Sequence, residues 1–131
     1  MSELHNGKIL FLDDDTFLVK IYDEKFTAAG CVIRTANSVD AALRILRGGY
    51  TPDVVIFDLK MKDKDGLKFL QTLKDERLAQ GAYFIALTNY ADPDDREKAM
   101  QLGTSLYIVK ATMIPEEVIQ KALDATTKKH S

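Results

Sequence analysis

Apolar residues in this chain fall into two kinds of run that take turns. Short, dense blocks sit at 8–12 (KILFL), 31–36 (CVIRTA), 54–57 (VVIF), 83–87 (YFIAL) and 106–109 (LYIV). Between them, apolar residues recur every three or four positions. Leu18, Ile21, Tyr22, Phe26 and Ala29 do so over 16–29, and Ala42, Leu43, Ile45 and Leu46 after Ser38. Leu67, Phe69, Leu70, Leu73 and Leu78 follow Gly66, a short stretch covers 93–102, and Val118, Ile119, Ala122 and Leu123 follow Pro115. The dense blocks predict strands buried on two sides, and the wider spacing predicts helices. Punctuation agrees: Gly30, Gly48-Gly49 and Gly103 stand at helix stops, Ser38 at a cap, and Asp92-Pro93 at a helix opening. Five strand–helix units in alternation predict an α/β fold, a five-stranded parallel sheet doubly wound with helices on both faces.

Sheets of this kind gather ligands at the carboxyl ends of their strands. There the first strand runs into Asp13-Asp14-Asp15, the third into Asp58, the fourth into Thr88-Asn89 and the fifth into Lys110. Taken singly, each has an ordinary reading: an acidic turn and helix cap, a strand-end turn residue, a solvated lysine. Their convergence on one edge is the signal. Carboxylates brought together repel, by ~1 kcal/mol per pair at ~4 Å in water and by several times that in a partly buried site. Asp13, Asp14 and Asp58 with Lys110 leave an excess of negative charge that one divalent cation balances. Oxygen-only donors favour Mg²⁺ or Mn²⁺ over zinc. A carboxylate, a metal, an ammonium and a hydroxyl around one point suit phosphoryl transfer to an aspartate nucleophile.

Composition narrows the class. The 131 residues are 46% apolar and 29% charged, which fits one domain over 1–131. With 20 acidic and 18 basic residues the net charge is −2, so electrostatics offer no case for nucleic acid or an anionic membrane as partner. The single cysteine, Cys31, excludes an internal disulfide framework, suits a reducing compartment, and reads as a small buried side chain. The polar N-terminus and the abrupt end of the first apolar block at Asp13 match neither a signal peptide nor a membrane span, so a cytoplasmic location is expected. His5 and His130 lie near the termini and are candidates for neither phosphodonor nor metal ligand.

In order and spacing, Lys8 to Asp15 (KILFLDDD), Pro52 to Met61 (PDVVIFDLKM) with Asp65-Gly66-Leu67, Ala86-Leu87-Thr88 and Tyr107-Ile108-Val109-Lys110 resemble the receiver domains of two-component response regulators. The resemblance covers about 8–124. It implies a flavodoxin-like (βα)5 fold with strand order 2-1-3-4-5. It also implies that Asp58 is the phosphoacceptor, with Asp14 binding the metal directly and Asp13 partly through water. The backbone carbonyl of Lys60 is implied as a third ligand, Lys110 as the phosphoryl contact, and Thr88 and Tyr107 as the pair that moves on phosphorylation. Asp15, just outside the acidic pair, is expected to cap a helix. The implied protein is a switch rather than an enzyme. Its donor would be a sensor histidine kinase or a histidine phosphotransfer protein, and its output a changed face of helix four, strand five and helix five. With no effector domain in the chain, output would pass through a partner protein or a longer parent chain, and a homodimer on the same face is possible. Phe17 is expected either on the kinase-facing surface or as a partly buried staple.

Three positions depart from the family pattern. Lys62 and Ala111 stand where proline is usual, and Ile114 precedes Pro115 where a capping Ser or Thr is common. The Lys110-Ala111 bond is expected to be trans, since cis before a non-proline residue costs ~3 kcal/mol. The start of the last helix is expected to be weakened. Lys60 and Tyr90, each two residues past a site residue, are expected to crowd the phosphoryl group and slow its hydrolysis. Two other classes compete. A haloacid-dehalogenase-like phosphatase would place its nucleophile at Asp13, but Phe17 breaks its D-x-D-x-[TV] motif. A non-phosphorylated interaction module on the same fold would leave the assembled site residues without a use.

Overall fold

The computed structural model describes residues 7–61 and 66–129. The strands are β1 (Lys8–Leu12), β2 (Val32–Ala36), β3 (Val54–Phe57), β4 (Tyr83–Thr88) and β5 (Leu106–Val109). They alternate with α1 (Thr16–Ala28), α2 (Val39–Arg47), α3 (Gly66–Glu76), α4 (Pro93–Gln101) and α5 (Pro115–Lys129). The sheet is parallel throughout, in the order β2-β1-β3-β4-β5. This is the doubly wound flavodoxin-like fold, with crossovers to both sides of β1.

Strand alternation sorts the core into two layers. Ile9, Phe11, Val54, Ile56, Ile85, Leu87 and Ile108 face one side and pack with Tyr22 and Phe26 of α1 and with α5. Leu10, Leu12, Val55, Phe57 and Ala86 face the other and pack with α2, α3 and Ala99 of α4. All four residues of β3 are buried, as the continuous VVIF run requires.

Local sequence explains most boundaries. Asp15 caps α1 by accepting from the backbone N–H groups of Phe17 and Leu18, both at 3.1 Å. Ser38 caps α2 through the Ala41 N–H at 3.1 Å. Asp92 caps α4, with Pro93 in its first turn. Two boundaries differ from the periodicity. Cys31 is buried but lies before β2. α3 ends at Glu76, because Arg77 (φ 57°) and Ala79 (φ 53°) turn left-handed, so Leu78 packs on the core from a loop. The Lys110-Ala111 bond is trans, as expected, and Lys110–Thr112 forms a 3-10 turn that apolar spacing did not foretell. Ile114 lacks a capping side chain, yet its N–H donates to Glu117 Oε1 at 3.0 Å, so α5 keeps half of a capping box. Lys62 lies outside the described residues. No helix among them is long and apolar enough to cross a membrane.

Candidate functional site

Sheet register assembles the site. Leu12 pairs with Phe57, so the next residues, Asp13 and Asp58, emerge side by side. The ladder continues one step further, with Asp13 N–H donating to Ala36 O at 3.1 Å and Asp58 N–H to Leu12 O at 3.0 Å. Both carboxylates are therefore held by regular backbone. On the neighbouring pair of strands, Thr88 is opposite Val109, and Lys110 follows at once.

Lys110 draws these groups together. Its Nζ lies 2.7 Å from Asp13 Oδ2 and 3.2 Å from Asp58 Oδ2. Asp13 and Asp58 are 1% and 3% exposed, so the ammonium offsets charge that water cannot screen. Asp13 Oδ1 accepts from the Asp15 N–H and Asp58 Oδ1 from the Lys60 N–H, each at 3.0 Å. Burial pushes the Asp58 carboxyl above its ordinary range, and the nearby Asp13 charge adds to this. The Lys60 N–H and Lys110 oppose that rise without cancelling it. For Lys110, burial works to lower the ammonium, but its hydrogen bond to Asp13 and the charges of Asp13 and Asp58 carry it above its ordinary value. Lys110 is thus anchored more firmly on Asp13 than on Asp58.

A divalent cation fits here on the chemistry of the donors. Carboxylate oxygens of Asp13, Asp14 and Asp58 come within 4.8 Å of one another, with Asp14 partly exposed at the mouth. All are hard oxygen donors, the set Mg²⁺ prefers.

Two supporting residues carried only weak signals in the sequence. Gly66 opens α3 against the backbone of the loop that follows Asp58, donating its N–H to Leu59 O at 2.8 Å. A Cβ there would meet Asp58 O at 2.6 Å and Leu59 Cα at 2.9 Å, so only glycine allows the approach. Asp95, on α4, pairs with Lys60 Nζ at 2.9 Å. No local pattern marks that pair, since the two residues meet only across the fold.

The remaining sequence candidates fall as follows. Thr88 is buried at the end of β4. Tyr107 is half-buried; its hydroxyl donates to Tyr90 O and accepts from the Asp92 N–H, both at 3.2 Å, and the Arg96 guanidinium lies over its ring, 5.9 Å from the centroid. Tyr90 is 78% exposed, and Phe17 is 73% exposed, on the solvent side rather than as a staple. A cavity of about 210 Å³ lined by Leu70, Leu73, Leu78 and Phe84 lies near the start of β4, away from these groups.

Fold and site together define a doubly wound α/β domain with a carboxylate cluster that suits a divalent cation, and comparison with known proteins gives the family. A sequence model of the response regulator receiver domain matches residues 9–124, and the chain belongs to that family. It is 29% identical over 108 residues to the polar-differentiation response regulator DivK of Brucella anthropi, covering 82% of this chain and 86% of DivK. It is 32% identical over 108 residues to the probable transcriptional regulator ycf27 of Porphyra purpurea, of which it spans 43%. A receiver domain from Clostridium thermocellum superposes with a TM-score of 0.81 at 27% identity, over 95% of this chain and 97% of that one. Receiver domains are phosphoacceptor switches rather than turnover enzymes, which sets the dehalogenase-like phosphatase aside.

Proposed function

We propose that the protein is a phosphorelay switch whose Asp58 accepts a phosphoryl group from a histidine kinase or a histidine phosphotransfer protein. The observation that carries this reading is the Asp13–Lys110–Asp58 arrangement. A buried carboxylate at a strand end, raised by burial, shares an ammonium with a second carboxylate that holds it more tightly.

An Asp58 oxygen attacks phosphorus, the O–P bond forms, and the N–P bond of the donor phosphohistidine breaks. The imidazole nitrogen leaves with the bonding pair and takes up a proton. Asp13, Asp14, Asp58 and the Lys60 carbonyl would hold Mg²⁺ or Mn²⁺, which supplies charge neutralisation for the phosphoryl oxygens when bound. Lys110 contributes a fixed positive charge on the other side. Its anchorage on Asp13 keeps it in place while Asp58 changes from −1 to an acyl phosphate carrying about −1.5 to −2 on the phosphoryl oxygens. Thr88 donates its hydroxyl to those oxygens. Tyr107 follows, and in moving must release Tyr90 O and the Asp92 N–H. The signal thereby passes to the face formed by α4, β5 and α5, where a downstream effector, or a second copy of the chain, reads it. The reading includes a cytoplasmic setting and a single domain over 1–131, with no role in nucleic-acid binding.

Treatment with a labelled acyl phosphate and Mg²⁺, followed by mapping of the label, tests this. Label on Asp58, lost in Asp58→Asn and on metal chelation, is the expected result. Label on Asp13 favours phosphatase chemistry. A folded protein that takes no label is a non-phosphorylated interaction module.

A further inference from the structure

Lys60 is attached at both ends. Its backbone N–H is bonded to Asp58 Oδ1 at 3.0 Å, which roots the residue beside the acceptor. Its ammonium reaches the other way, to Asp95 Oδ2 at 2.9 Å in the first turn of α4. We infer that Lys60 is shared between Asp95 and the phosphoryl group, and that transfer of its ammonium from one to the other couples Asp58 to α4. The inference rests on the proposed phosphorylation of Asp58.

The first argument is charge. Asp95 offers Lys60 a single negative charge. A phosphoryl group on Asp58 offers about −1.5 to −2 and three strong acceptor oxygens. The second is freedom to move. The Lys60 side chain is 62% exposed, and its flexible four-carbon stem starts two residues from Asp58. The third is weakness. The lysine end of the pair is solvated, so the pair holds less firmly than one buried at both ends, and a stronger anion nearby displaces it. The Lys110–Asp13 pair, with side chains 18% and 1% exposed, is not displaceable in this way. The two lysines therefore divide the work: Lys110 stays, and Lys60 moves.

The consequence falls on α4. Asp95 is only 14% exposed, so the departing ammonium leaves behind a carboxylate with restricted access to water. Ala99 is the buried apolar residue of this helix. Its first turn is held by polar contacts: the Asp92 cap, the Tyr107 hydroxyl, Arg96 on the Tyr107 ring, and Lys60 on Asp95. Losing one of these loosens that turn. The bland alternative is that Lys60–Asp95 is an ordinary surface pair like Lys25–Glu116 or Arg47–Glu76. Those join helices to one another, whereas Lys60–Asp95 joins the acceptor loop to a helix.

Beryllofluoride, a non-covalent phosphoryl mimic, supplies the test. Its affinity in the presence of Mg²⁺ is measured by fluorine NMR for the parent, Lys60→Met, Asp95→Asn and the double variant. Asp95→Asn frees Lys60 and is expected to tighten binding about threefold, and Lys60→Met to weaken it about threefold. The double variant is expected to match Lys60→Met, because Asp95 acts only through Lys60. Amide exchange at 94–97 is read on the same samples. It is expected to speed up in the parent on adding beryllofluoride, and to be fast in both single variants without it. Unchanged affinity in Asp95→Asn, additive effects in the double variant, or exchange at 94–97 indifferent to the ligand overturns the inference while leaving the acceptor role of Asp58 intact. A folded parent that binds no beryllofluoride with Mg²⁺ overturns the acceptor role itself.

Discussion

Helices α4 and α5 come immediately before and after β5, yet they are held by different physics. α5 buries Val118, Ile119, Ala122, Leu123 and Ala125 against the core shared with α1. α4 buries Ala99, and it is also held by hydrogen bonds, one cation–π contact and one ion pair exposed at its lysine end. Apolar packing is lost only when a helix leaves the core, whereas polar ties can be exchanged for equivalent ones. A helix of the first kind serves as a fixed wall. One of the second kind can shift without unfolding, and α4 is the helix that Lys60 ties to the carboxylate site.

The comparison is broken most directly by truncation. Ile119→Ala in α5 is expected to lower stability by about 2–5 kcal/mol, and Met100→Ala, 40% exposed on α4, by less than about 0.5 kcal/mol in urea unfolding. Comparable losses would mean that α4 is packed as firmly as α5.

The α1/α5 side is also expected to respond to alkali. Burial, aided by the charges of Glu116 and Asp13, pushes the Tyr22 phenol up to about 12. The folded value lies above the unfolded value near 10, so this contribution is fully present below pH ~10 and is lost as pH rises through about 12. The loss is about 2–3 kcal/mol. Tyr22→Phe should flatten the stability profile in that window while leaving the ring stacked on Phe11, now 4.6 Å between centroids.

Gly66→Ala tests the floor of the site. The added Cβ, 2.6 Å from Asp58 O, is expected to cost about 1–3 kcal/mol and to slow labelling of Asp58 by displacing the acceptor loop. Normal labelling kinetics would show that the loop tolerates the shift.

The smallest effect sharpens the account of α4. Tyr107→Phe removes the hydroxyl bonded to Tyr90 O and the Asp92 N–H, and is expected to lower stability by about 0.5–1.5 kcal/mol. Exchange should quicken at 90–97 and not in α5. A change spread evenly over both helices would remove the distinction between them.

Much of this was legible beforehand because parallel α/β folds write their period into the chain. VVIF could be read as a doubly buried strand, Ser38 and Asp92 as caps, and the strand ends as the place where Asp13, Asp58 and Lys110 meet. Leu78 was misplaced on α3, because apolar spacing does not register the left-handed turn at Arg77. The 3-10 turn after β5 was missed for a similar reason: three residues are too few to carry a period. Lys60 was expected beside the phosphoryl group, and its pairing with Asp95 had no local trace.

By itself, the sequence determined the alternation of strands and helices, and with it the edge at which the carboxylates gather, because periodicity and capping are local properties. The tertiary structure alone decided which partner each charge takes: Lys110 closer to Asp13 than to Asp58, Lys60 on Asp95, and the backbone of Gly66 against Asp58. Those choices join residues as far as 97 positions apart in the chain, and they are set by how the strands are registered and how the helices pack over them.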